Sequence, residues 1–228
     1  MQSFRFHHRT VLLALACASF LLCRAAACAE TADLAVTVLD ERGKPVADAV
    51  VVATPADGKA VPAAKPREEM IDQVDKEFTP KVKPVVVGTS VVFPNRDNVR
   101  HHVYSFSPAK RFEVPLYAGV PPQPIVFDKP GVVVLGCNIH DWMVGYVYVS
   151  ESPYFAKTDS DGKAAIAGMA AQAYVVRVWH AQLDGAEEAT RKTIDLGRTR
   201  HADAAWTVKL KSEVKVRRAP VAGHGSHY

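Results

Sequence analysis

The chain has 228 residues, with 28 basic and 24 acidic side chains, 15 prolines, 13 glycines and four cysteines. A formal net charge of +4 builds no nucleic-acid face, and no apolar run is long enough to cross a bilayer as a helix. The length leaves room for one large or two small domains.

Residues 1–29 read as a leader. Met1 to Arg9 is polar and positive, 11–23 is apolar but too short to span a membrane, and 25–29 is a run of small residues. Ala27-Cys28-Ala29 fits small-x-small cleavage, which would leave Glu30 first; the rival is a lipoprotein cut before Cys28, with Ala25 where such signals usually carry Leu. Removing the leader takes Arg5, Arg9 and Arg24 and no acid, leaving 25 basic against 24 acidic residues. The basic balance therefore belongs mostly to the leader, and the mature chain is expected to be soluble and periplasmic or secreted. Cys17, Cys23 and Cys28 also lie in the leader. Cys137 is then unpaired in an oxidising compartment, where it is either buried and inert, bound to a metal, or catalytic.

Beyond the leader the texture is β. Short Val-rich runs mark strands near 35–39, 49–53, 85–87, 90–93, 102–106, 125–127, 132–135, 146–149, 174–179 and 205–210. Turn signals such as Glu41-Arg42-Gly43, Lys129-Pro130-Gly131 and Asp159-Ser160-Asp161-Gly162 separate them. Many short strands with this punctuation predict an all-β sandwich or barrel. The Ala-, Pro- and Lys-rich stretch 56–65 reads as a linker, and 214–228 as a disordered tail.

The segment that carries chemistry is Cys137-Asn138-Ile139-His140-Asp141-Trp142-Met143. A thiolate, an imidazole three residues on and a thioether three beyond that share one short loop between two strands. A blue-copper site uses one Cys, two His and a weak axial Met, so this loop supplies three of four ligands. The other His must come across the sheet, and His101-His102 offers two candidates about forty residues upstream. Zinc is the rival metal, drawing on Cys137, His101, His102 and His140, but it leaves Met143 idle and asks neighbouring strand histidines to converge. A Cys137–His140 nucleophilic pair would need an orienting third group and a substrate pocket, and the sequence displays neither. Binuclear and trinuclear copper centres need more cysteines or histidines than this chain offers, which counts against oxidase chemistry.

With these residues on the page, 71–150 resembles the cupredoxins, nearest the plastocyanin and amicyanin branch. The resemblance rests on Phe78-Thr79-Pro80, the strand-and-turn run 85–93, Asn95 six residues before His101, His-x-Val at 101–103, and the loop from Cys137 through His140 and Met143 to Gly145. It implies a Greek-key β-sandwich binding one copper per chain through His101, Cys137, His140 and Met143. It further implies single-electron transfer without enzymatic turnover, transient redox partners such as a c-type cytochrome or a periplasmic dehydrogenase, and a methylamine-utilisation setting. The family usually has Asn after the first ligand His, tying the ligand loops together; His102 stands there instead and could preserve that tie in altered form. Two flanking segments, 35–50 and 155–178, resemble the opening and closing strands of a carboxypeptidase-regulatory-like β-sandwich. The expected organisation is a leader at 1–29, the first part of a small sandwich with its linker at 30–66, a cupredoxin domain at 67–150, the rest of the small sandwich at 151–213, and the tail. Alternative functions are copper binding or delivery without a redox partner, and a binding module in which the small sandwich is the working part. His180 and His201 are expected at the surface, and Asp159–Gly162 as a hairpin turn rather than a calcium loop.

Overall fold

The computed structural model describes residues 31–61, 65–121 and 123–212. The expected leader and tail lie outside the described residues. Among the described residues the chain is built from β-strands, with one short 3-10 turn at Glu187–Thr190. No helix among them is long and apolar enough to cross a membrane.

Two hydrophobic cores organise the molecule. The first lies between two sheets made from residues before Ala56 and after Tyr154. Its central strand, Thr31–Asp40, buries Ala32, Leu34, Val36 and Val38 on one face by simple alternation. That strand pairs antiparallel with Lys163–Ala170 on one side and parallel with His201–Val208 on the other. The facing sheet orders Phe155–Lys157, Val50–Pro55, Ala173–Trp179 and Lys192–Asp195, all antiparallel. The two large aromatics of this core have partnered polar atoms: Tyr174 Oη donates to the Ala170 carbonyl at 3.0 Å, and Trp206 Nε1 to that of Thr190 at 2.7 Å.

The second core is enclosed by residues 68–150. One layer orders Ile125–Phe127, Thr89–Val92 and Glu68–Met70, and the other Gly131–Leu135, Gly145–Ser150 and Val82–Val86. The hairpin of His101–Ser107 and Lys110–Tyr117 extends the second layer through reciprocal backbone bonds between Tyr104 and Gly136, at 3.1 and 3.0 Å. Phe93, Phe127, Leu135, Val103 and Val147 fill the space between the layers.

Because Val52 pairs with Phe155, the chain between them leaves one sheet of the first core and returns beside the strand it left. The strand Val50–Pro55 has an unbroken apolar start because both its faces are covered. Val51 and Ala53 point into the first core, while Val50 and Val52 meet Val82 and Tyr148. Trp179 packs against Tyr146 and Tyr148 at ring separations of 5.7 and 5.6 Å, so the junction is apolar and aromatic. At its margin Tyr148 Oη donates to Glu187 at 2.7 Å, and burial followed by that carboxylate pushes the phenol well above its ordinary value.

Candidate metal centre

The strand Gly131–Leu135 delivers the chain to Gly136 and then Cys137. Gly136 has no side chain because the Tyr104 ring occupies that space: a Cβ there would stand 2.7 Å from Tyr104 Cζ. Cys137 is a free, buried thiol facing the second core. The loop turns tightly after it, with Met143 N–H donating to the His140 carbonyl at 2.9 Å, which draws Met143 back under the loop. Met143 is 1% exposed and belongs to the same apolar cluster as Cys137.

His101 opens the neighbouring hairpin. Its partner strand carries Pro115, which has no N–H to give, and the ladder slips there: His101 faces Tyr117 but Val103 faces Val114. The adjacent histidines are both buried yet go to different places. His101 Nδ1 lies 3.9 Å from Cys137 Sγ, and its Nε2 lies 2.7 Å from Asp97 Oδ2. His102 Nε2 lies 2.9 Å from Glu113 Oε1 on the neighbouring strand. His102 Nδ1 has no hydrogen-bond partner, so His102 makes no tie to the Cys137–Met143 loop. Strand alternation is the reason, since it turns the imidazole toward Glu113 and away from that loop.

One donor atom each from His101, Cys137 and His140 lies within 4.8 Å of the others. The two imidazoles are 5.1 Å apart and tilted by 60°. His140 Nδ1 is buried and has no hydrogen-bond partner, an arrangement that costs about 1–3 kcal/mol unless something else satisfies it. Burial first, then His101 and Lys76, hold the His140 imidazole below its ordinary value, in the neutral form a metal needs. A thiol, two imidazole nitrogens and a nearby thioether make a soft-to-intermediate donor set, which fits copper and accounts for the unpartnered nitrogen.

Around these residues lies a frame in which sequence reading singled out Asn95 but not Asp97. The Asn95 carboxamide donates to the carbonyls of Val99 and Tyr117 at 2.8 and 2.9 Å and accepts the Asp97 N–H at 3.0 Å. Asp97 was the least visible of these residues. Its only signal is a carboxylate four positions before a candidate ligand, and in a loop that spacing carries no periodic meaning.

No family model matches the chain, and no curated protein does. Among solved structures, it is similar to a novel purple cupredoxin from Nitrosopumilus maritimus, 28% identical, covering 36% of this chain and 98% of that one at a TM-score of 0.32. It is also similar to a Cu-containing nitrite reductase from Thermus scotoductus, 27% identical, covering 51% of this chain and 28% of that one at a TM-score of 0.36. An amicyanin variant in its reduced Cu(I) form is 20% identical, covering 45% of this chain and 99% of that one at a TM-score of 0.33.

Proposed function

We propose that this chain holds one copper ion with His101, Cys137, His140 and Met143 and passes single electrons between partner proteins, without turning over a substrate. The observation that carries the reading is the convergence of two imidazoles on a buried, unpaired thiol. Copper held there supplies a Cu(II)/Cu(I) couple and an intense thiolate-to-copper absorption. Cys137 contributes its thiolate, His101 and His140 their Nδ1 lone pairs, and Met143 a weakly donating thioether. The close-packed second core limits how far these side chains move, which favours fast exchange at low reorganisation.

Exposed apolar residues accompany the same segments. Ile139 is 51% exposed beside His140, and Leu116 is 50% exposed beside Tyr117, the cross-strand partner of His101. A small apolar surface of this kind suits brief docking and rapid release by a redox partner, such as a c-type cytochrome or a periplasmic dehydrogenase of methylamine-utilisation type. Export by the 1–29 leader agrees with an unpaired cysteine protected by a metal. The flanking sandwich, with its carboxypeptidase-regulatory-like strands, serves as a structural accessory.

The test is a copper titration of the exported chain followed by visible spectroscopy. One equivalent of Cu(II) is expected to give an intense band that ascorbate bleaches and that Cys137→Ala abolishes. A colourless complex, or colour surviving that substitution, overturns the reading.

A further inference from the structure

We propose that Asp97 is the positioning residue of this centre: its carboxylate holds the His101 ring with Nδ1 toward Cys137, and is itself held by two backbone N–H groups of the Asp75–Lys76 turn. The inference rests on the copper reading above and adds to it the residue that prepares one ligand before the metal arrives.

The geometry is a three-way clasp. Asp97 Oδ1 accepts the N–H of Asp75 at 2.8 Å, and Oδ2 accepts the N–H of Lys76 at 2.9 Å. Oδ2 also lies 2.7 Å from His101 Nε2. An ionised carboxylate can only accept, so His101 Nε2 must carry a proton, and in the neutral ring that a metal requires the lone pair is then on Nδ1. That is the nitrogen facing Cys137 Sγ. His101 is fully buried, and the short bond from its Nε2 to Asp97 is what fixes the tautomer of its ring.

The turn shows that the clasp is built rather than incidental. Asp72–Val74 and Glu77–Thr79 form a two-residue hairpin whose central residues, Asp75 and Lys76, have φ of 54° and 61°. Such a turn prefers Asn-Gly or Asp-Gly, and a lysine in the left-handed region is strained. Bonds from both turn N–H groups to a charged acceptor offset that strain. The hairpin therefore reaches across to the ligand loop through Asp97, and the Asn95 carboxamide fixes the backbone of Asp97 from the other side.

The test uses the full chain loaded with Cu(II), with affinity read by competition against a chelator of known strength. Asp97→Ala is expected to weaken Cu(II) binding about 10- to 100-fold, as loss of a partner to a metal-bound imidazole typically does. It should also broaden or split the hyperfine pattern in electron paramagnetic resonance, because the ring is no longer held in one tautomer. Asp97→Asn keeps the size and removes the charge, and should lose less affinity while raising the reduction potential, since an anion that favours Cu(II) is gone. Thermal unfolding of the metal-free variants separates folding from positioning, and Asp97→Asn decides the matter if Asp97→Ala does not fold. Wild-type affinity, hyperfine pattern and potential in the variants would overturn the proposal, as would lower metal-free stability with an unchanged potential and hyperfine pattern. A wild type that forms no coloured copper complex would overturn the copper reading itself, which is a separate result.

Discussion

The two cores are of similar size and opposite character. The one shared by the chain's outer segments is lined by apolar side chains, from Ala32, Leu34 and Val36 to Met169 and Val178, and the buried polar atoms of Tyr174, Trp206, Thr158 and Ser152 are hydrogen-bonded. The one enclosed by 68–150 admits Cys137 and Met143 and is bordered by buried His101, His102, Gln73 and Asn95. Among the described residues, five buried side-chain polar atoms are without a hydrogen-bond partner. Gln73 Oε1, His102 Nδ1, His140 Nδ1 and Trp142 Nε1 belong to the second region, and Arg177 Nε lies beside the junction. Such an atom costs about 1–3 kcal/mol wherever nothing else satisfies it. A protein selected for stability alone would spread or remove them, so their concentration marks the second region as the part shaped by chemistry.

The comparison breaks first at the histidine pair. His101→Ala is expected to abolish the blue spectrum, while His102→Asn should retain it, because only His101 faces Cys137 and His102 bonds Glu113. Loss of the spectrum in His102→Asn with its survival in His101→Ala would exchange their roles. Next in size, Leu34→Ala in the first core should lower unfolding stability by about 2–5 kcal/mol, since the residue is fully buried. Its copper spectrum at 25 °C should be that of the wild type; a change of colour there would show that the two regions do not divide structure from chemistry. The smallest effect is expected at His180, on the junction side of the first region. Burial, with Lys81 assisting and Asp48 opposing, holds this imidazole below its ordinary value. The unfolded chain then takes up a proton that the folded chain refuses, so stability falls as pH drops below about 6.5 toward the folded value. His180→Asn should flatten that fall by less than about 1 kcal/mol in denaturant titrations at pH 7 and pH 5.

Much of this division can be read in the residues themselves. Alternation in Thr31–Asp40 and the Val-rich runs announce an all-β chain, and Cys137-x-x-His140-x-x-Met143 announces its chemistry. Other strands gave no such signal. Lys110–Tyr117 carries Lys110, Arg111, Glu113 and Pro115, which weaken its strand signal, and Lys163–Ala170 is mostly alanine and glycine, whose local preference is not for strands. Tertiary pairing with Thr31–Asp40 makes the latter a strand. The turn at Asp159 follows its sequence signal, with Oδ1 accepting the N–H groups of Asp161 and Lys163 and Gly162 at a φ of 70°. His180, expected at the surface, is partly buried and lies near Asp48 and Lys81, residues far from it in sequence. Asp97 and the Asp75–Lys76 turn were illegible for the same reason: three segments meet at one carboxylate, and no single stretch records the meeting.

The strand Val50–Pro55, apolar on both faces, decides how this molecule can be cut. A fragment limited to 67–150 would bring Val82, Tyr146 and Tyr148 to water at the face that Val50, Val52 and Trp179 now cover. Such a fragment would present an adhesive surface to its own copies. For expression and crystallisation, the practical unit is therefore the pair of sandwiches, and a soluble short form would first need polar residues written into that face.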